Sequence, residues 1–264
     1  MATHDTPLPR SIAIQTRVVG ALLMREILTR FGRHNIGFLW MFFEPMMFTV
    51  GVLTLWTVTK MTHGSSLPVT AFAVTGYSPV LLWRNCANRC ALAILPNQAL
   101  LYHRNVRVLD FFFARLLLEI GGATMSFTFL TILFITVGMM KPPEDVLLVL
   151  GGWLHFIVFG SSLALIIGAL SERSEAIERV WHTVSYLLFP LSGSVFMVSW
   201  IPQKFQPYVL LLPMVHGSEM LRAGYFGSLV TPHYSVQYMV FSNAILLLIG
   251  LYLVRDTGRR VEPE

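Results

Sequence analysis

The sequence predicts an all-helical integral membrane protein with six spanning helices, an N-terminal interfacial helix and a re-entrant helical segment on the outer side. Three observations carry this prediction. Apolar residues make up 55% of the chain and charged residues only 12%, about half the charged share of an ordinary soluble domain. Six long apolar stretches follow one another at about residues 36–59, 69–95, 108–139, 146–170, 181–200 and 236–254, and about 20 mostly apolar residues suffice for a helix to cross a hydrocarbon core about 30 Å thick. The breaks between them are short and charged or proline-rich, leaving almost no chain for a water-soluble domain.

The chain divides into a cytoplasmic N-terminus with an interfacial helix (1–35), a transmembrane unit (36–254) and a short tail (255–264). Before Ile36 there is no compact apolar core with a small-residue cleavage site, so the first span is expected to direct its own insertion. Residues 11–33 mix Ile12, Val18, Leu22, Ile27 and Phe31 with Arg17, Arg25, Glu26 and Arg30. That mixture is too polar to span and suits a helix in the headgroup region, or a basic anchor ahead of the first span. Lys and Arg concentrate in the N-terminal segment, around Arg104 and Arg107, around Arg173 and Arg179, and in the tail at Arg255, Arg259 and Arg260. The alternate loops carry only Lys60, Lys141, Lys204 and Arg222, so both termini are predicted to be cytoplasmic. Topology accounts for the net charge of +5 without invoking nucleic acid.

In the first span Glu44 precedes Pro45, which removes a helix donor and predicts a kink. The second span carries Arg84, Asn85, Asn88 and Arg89 on one polar flank. Arg89 stands about 10 Å along the helix from Pro96, within reach of the headgroups, and Arg84 about 18 Å. Two readings stand: an inward arginine pair that receives an anionic substrate, or snorkelling and pairing with Glu44 or Glu119. Tyr77 and Trp83 on the same span are the aromatic candidates for ring faces along a sugar path. Arg115 and Glu119 of the third span, spaced i,i+4, are expected to neutralise each other.

The stretch 96–107 is opened by Pro96 and reads as a short cytoplasmic helix. Leu100, Leu101 and Tyr102 facing water make it a docking surface for a partner, flanked by Asn97, Gln98 and Arg104, or else a linker dipping into the headgroups. The loop 171–179, with Glu175 and Glu178, is a second candidate contact. Residues 201–232 are apolar yet broken by Pro202, Pro207, Pro213, Gly217, Gly224, Gly227 and Pro232. They read as a re-entrant pair of short helices containing His216, Glu219 and Arg222 at the outer mouth of a path, or as a plain outer loop.

Catalytic chemistry finds no support. The eight histidines form no HExxH, and neither a GxSxG elbow nor a GxGxxG is present. Cys86 and Cys90 read as packing residues, with no metal or cofactor expected in this chain. The phosphate-binding GxxxxGK[ST] is also missing, so ATP-driven work needs a second chain.

Arg25-Glu26-Ile27-Leu28-Thr29-Arg30-Phe31-Gly32, Ile36-Gly37-Phe38-Leu39-Trp40 and Glu44-Pro45 open a series of motifs along nearly the whole chain. Asn97-Gln98, Arg104 to Asp110, Ala114-Arg115 with Glu119, Ile201-Pro202-Gln203-Lys204, and Pro213 with His216, Glu219 and Arg222 continue it in order. Together they resemble the membrane subunits of capsular polysaccharide ABC exporters. The resemblance implies a homodimeric permease working with two ATP-binding subunits, which would hold the ATP and Mg, and with 96–107 as the segment that couples to them. It further implies a lipid-linked, acidic polysaccharide cargo, periplasmic adaptor and outer-membrane export partners, and a Gram-negative inner membrane. An exporter of O-antigen, teichoic acid or a hydrophobic drug would share the body. A membrane enzyme acting on lipid-linked sugars would need a polar catalytic cluster, for which His216 with Glu219 is the nearest candidate.

Overall fold

The computed structural model describes residues 8–32, 39–59, 67–103 and 105–261. Residues 36–38, Lys60 and Arg104, which enter the predicted first span, the loop charges and the docking segment, lie outside the described residues. Described regular structure is helical: α1 (Leu8–Phe31), α2 (Trp40–Val58), α3 (Val69–Cys90), a 3₁₀ segment (Leu95–Tyr102), α4 (Val108–Thr136), α5 (Val146–Ser171) and α6 (Glu175–Phe189). A π turn (Pro190–Ser194), 3₁₀ turns (Val198–Trp200 and Gly227–Leu229), the short α7 (Gln206–Val209), α8 (Pro213–Phe226) and α9 (Val236–Val261) follow.

Among the described residues four helices, α2, α4, α5 and α9, are long and apolar enough to cross a membrane. α3 is long enough but carries Arg84, Asn85, Asn88 and Arg89 in its second half. It tolerates them because it lies inside the bundle against α2, α4, α5 and α8, with an unbroken buried run from Thr70 to Trp83. Protein, not lipid, supplies most of its apolar surroundings.

Small residues bring α3 and α5 together. A Cβ on Gly160 would lie 2.8 Å from the Trp83 Cα, and one on Gly168 would lie 2.7 Å from the Cys90 carbonyl oxygen. The close approach lets Trp83 and Phe159 pack edge to face with centroids 6.0 Å apart. α5 starts where Asp145 caps it, accepting from the Leu147 N–H at 2.8 Å and the Leu148 N–H at 3.1 Å. The Asp145 N–H in turn donates to the Gly224 carbonyl at 2.8 Å, tying α8 to the same end. α9 covers α5, with the Asn243 amide 3.0 Å from His155 Nδ1.

Two predicted spans end differently. The second stops at Cys90 instead of 95, because Leu92 turns into the left-handed region (φ +51°) and its N–H leaves the helix for Ser171 Oγ at 3.1 Å. The fifth begins at Glu175 and ends at Phe189, since Pro190 cannot continue the donor ladder and Gly193 (φ +82°) turns the chain through a π turn. α1, the 3₁₀ segment, the α5–α6 turn and the end of α9 therefore gather at one basic end. α7 and α8 occupy the far end.

Candidate functional site

A cavity of about 410 Å³ opens between α2, α3 and α6. Glu44, Pro45 and Phe48 line it from α2, Leu81, Arg84 and Asn85 from α3, and Tyr186 and Phe189 from α6. Pro45 lies inside α2 directly after Glu44. The Arg84 guanidinium lies 4.3 Å from the Tyr186 ring centroid, and its buried Nε has no hydrogen-bond partner among the described residues. A cation held by a ring face and short of an acceptor suits an anionic group entering the cavity.

The other predicted path residues take different positions. Arg89 pairs with Glu44 at 3.3 Å and with Glu119 at 3.9 Å, as the pairing reading expects. Asn88 accepts the Trp181 indole N–H at 2.8 Å and so joins α3 to α6. Tyr77 is buried behind the cavity against Trp56, Phe48 and Phe189, with centroids 5.4–5.9 Å away. Trp83 is completely buried against α5, outside the cavity lining.

At the basic end α1 runs beside the first half of α4 in the same chain direction. Gln15 donates to Asp110, Glu26 meets Arg115 at 3.2 Å, and Arg30 pairs with Glu119. The expected Arg115–Glu119 neutralisation within α4 does not form. Arg115 turns instead to Glu26 and to the Arg89 carbonyl at 2.6 Å, because α1 offers each residue an opposite partner on the shared face. Glu119 thereby joins α1, α3 and α4, and Arg89 extends the network to Glu44 of α2.

The same helix grips the docking segment. Arg25 donates to the Asn97 side-chain oxygen, and the Asn97 amide donates to the Ala93 carbonyl at 2.8 Å. With three residues per turn, 97 and 100 form the inward side, while Pro96, Ala99 and Tyr102 face outward with Leu95 and Gln98 beside them. Tyr102 is 80% exposed and Leu95 59%, whereas Leu101 is only 6% exposed. Leu101 is therefore a core residue, contrary to its expected water-facing position: the segment's last turn folds onto the bundle. Leu95 takes its place on the surface.

The end of α5 holds the chain just before this segment, where the Leu92 N–H donates to Ser171 Oγ at 3.1 Å. Burial raises the Glu172 carboxyl above the ordinary range, and the Leu95 backbone hydrogen bond partly opposes it. Glu175 is exposed beside Arg179 at 3.5 Å, and Glu178, half-buried, faces His182 at 3.9 Å.

The far-end trio is committed to backbone. Arg222, with no exposed surface, donates to the Gly193, Ser194 and Phe196 carbonyls at 2.6–2.7 Å and stacks 3.8 Å from the Phe72 centroid. Glu219 accepts the Val198 and His233 N–H groups at 2.9 Å each. His216 sits between the Leu210 carbonyl at 2.8 Å and the Ser235 N–H at 3.0 Å. These bonds lock the π turn and the loops around α8 and occupy the groups that acid–base chemistry on a sugar would require.

A family model described as "ABC-2 type transporter" matches residues 17–226, from α1 through α8. The chain belongs to the ABC-2 type transporter family. Among similar proteins, this ABC-2 protein is 45% identical over 261 residues to the capsule polysaccharide export inner-membrane protein CtrC of Neisseria meningitidis, covering 99% of this chain and 98% of the relative. It is 42% identical over 260 residues to the capsule polysaccharide export inner-membrane protein BexB of Haemophilus influenzae, with 98% of each chain covered. It is 26% identical over 242 residues to the polysialic acid transport protein KpsM of Escherichia coli, covering 92% and 94%.

Sequence reasoning about this ABC-2 protein missed the cross-helix pairs Glu26–Arg115 and Arg30–Glu119. The signal was present. Both helices carry opposite charges four residues apart, in reversed order, so that two parallel helix faces neutralise each other.

Proposed function

We propose that this chain is the inner-membrane permease subunit of an ATP-driven exporter, moving lipid-linked capsular polysaccharide from the cytoplasm to the periplasm of a Gram-negative cell. The observation that carries the proposal is 45% identity, over 99% of the chain, to a protein named for capsule polysaccharide export. In this reading α3 and α6 with its π turn add two crossings to the four apolar helices, making six, and α7–α8 form the re-entrant outer segment. Both termini and the basic end are cytoplasmic, in keeping with the excess of arginine there.

The permease works as a homodimer with two ATP-binding subunits that carry ATP and Mg. Leu95, Gln98 and Tyr102 form the outward face they press on, with Glu175 and Glu178 as a second contact. Movement of that face reaches the bundle through Arg25–Asn97 and the Glu119 network, because both join the segment and its neighbours to α1. Nucleotide shifts the permease only so far as the ATPase binds its two states unequally. The cavity at Arg84 receives an anionic part of the cargo, which periplasmic adaptor and outer-membrane export proteins take onward.

Inverted membrane vesicles containing the chain and its ATP-binding subunit test the proposal. ATP should drive labelled lipid-linked polysaccharide into the lumen, and Tyr102→Ala should slow uptake several-fold at equal protein level. Uptake that ignores ATP, or that is equal in vesicles lacking the chain, would overturn it.

A further inference from the structure

We infer that a second cavity, between the start of α4 and the end of α9, holds the phosphate headgroup of an anionic membrane phospholipid. The cavity measures about 370 Å³ and is rimmed by Arg107, Arg255 and Arg259 over an apolar floor that includes Leu109, Leu251 and Val254. It lies apart from the Arg84 cavity, and the inference does not depend on what cargo the protein carries.

The three arginines are exposed, and among the described residues none is paired with a carboxylate. The described acids nearby, Asp256 and Asp110, are occupied. Asp256 binds Arg173 and Arg260 at 2.9 Å each, and Asp110 accepts the Arg107 backbone N–H at 2.8 Å together with the Gln15 amide. Among the described residues, the rim thus presents three guanidinium groups without a paired carboxylate. Guanidinium forks match phosphate oxygens and bind them with charge-assisted hydrogen bonds.

Depth and floor select a lipid over a soluble anion. Val236 to Leu253 of α9 rises about 27 Å at 1.5 Å per residue, so Arg255 and Arg259 stand at the edge of a hydrocarbon core about 30 Å thick. Immediately inward, Leu248 is 68% and Tyr252 71% exposed, continuing the floor as an apolar face along which acyl chains can lie. Basic pockets between membrane helices at this level take anionic headgroups. Arg107 is also the last residue of the connector that leads the 3₁₀ segment into α4. A bound lipid would therefore tie the exit of that connector to α9.

The test is thermal unfolding of the purified full-length chain in detergent micelles titrated with phosphatidylglycerol, phosphatidylcholine or inorganic phosphate. Phosphatidylglycerol should raise the melting temperature saturably and phosphatidylcholine should not. Arg255→Gln and Arg259→Gln should each raise the half-saturating lipid concentration about fivefold, the effect of losing one basic residue at an anionic surface. Arg107→Gln combined with both should remove the response. Arg260→Gln, which alters a residue outside the cavity, should leave it. Equal titrations for wild type and the two single variants, or an equal rise with phosphatidylcholine, would overturn the site. The same rise with inorganic phosphate alone would overturn the lipid assignment in favour of a soluble anion. The single variants change exposed side chains and carry the test if the triple variant does not fold.

Discussion

Glu119→Gln should loosen the basic end of the bundle out of proportion to its size. The Glu119 side chain is 7% exposed and that of Arg30 19%, so this is a nearly buried ion pair, whereas Arg89, 43% exposed and 3.9 Å away, adds little. Removing one partner of a buried pair costs about 3–5 kcal/mol where the other charge is left wholly uncompensated. Arg30 keeps some solvent and an interaction besides Glu119, and Arg89 retains Glu44, which places the expected loss at the lower end. A loss of about 3 kcal/mol is a change of roughly 150-fold in the equilibrium that holds α1 to the bundle. The assay is a double-mutant cycle on the purified chain, comparing melting of Arg30→Met, Glu119→Gln and Glu119→Leu with the paired variant Arg30→Met/Glu119→Leu. The pair should melt above either single change, since an apolar contact replaces the ion pair without stranding a charge. A Glu119→Gln variant as stable as wild type, or a double variant whose loss equals the sum of its parts, would refute the hub.

Tyr102→Ala and Leu95→Asp should leave protein level and basal ATP turnover near normal while export falls several-fold. Leu101→Asp, which buries a carboxylate in the core, should instead cut the amount of folded protein; ATPase assays beside immunoblots separate the two. Arg84→Gln should lower transport with unchanged assembly, and unaltered transport rates would return Arg84 to a structural role. Gly160→Val should destabilise by about 1–3 kcal/mol or more through overpacking against Trp83, whereas Gly51→Ala, mid-helix with an added Cβ that meets nothing within 4 Å, should melt at or slightly above wild type. Arg222→Lys should also lower the melting temperature, because an ammonium on a flexible stem does not reproduce the guanidinium fork across three carbonyls.

The long apolar helices were legible because their apolar stretches match membrane thickness, whereas the stop at Pro190 lies inside the apolar stretch 181–200 and was passed over. The partners of charged residues were much less so. Arg115 and Glu119 satisfy the i,i+4 rule, yet each finds a better-placed partner on α1, and such a choice depends on which helices become neighbours. Leu101 was misplaced for a similar reason. A short apolar run in a polar connector looks exposed until the chain around it folds back, and the outward side of the 3₁₀ segment then proves to be Pro96, Ala99 and Tyr102, with Leu95 and Gln98 beside them. The trio in α8 is close in sequence as well as in space, but its acceptors and donors are main-chain groups of 193–198, 210, 233 and 235. No side-chain pattern announces a partner that is backbone.

The most direct measurement is to delete the gene in its host and separate cytosolic from surface polysaccharide, with complementation by the intact gene. The account predicts capsular polymer trapped inside the cell, and its return to the surface on complementation. Unchanged surface capsule, with the loss of a different glycan or of resistance to a hydrophobic drug, would contradict it.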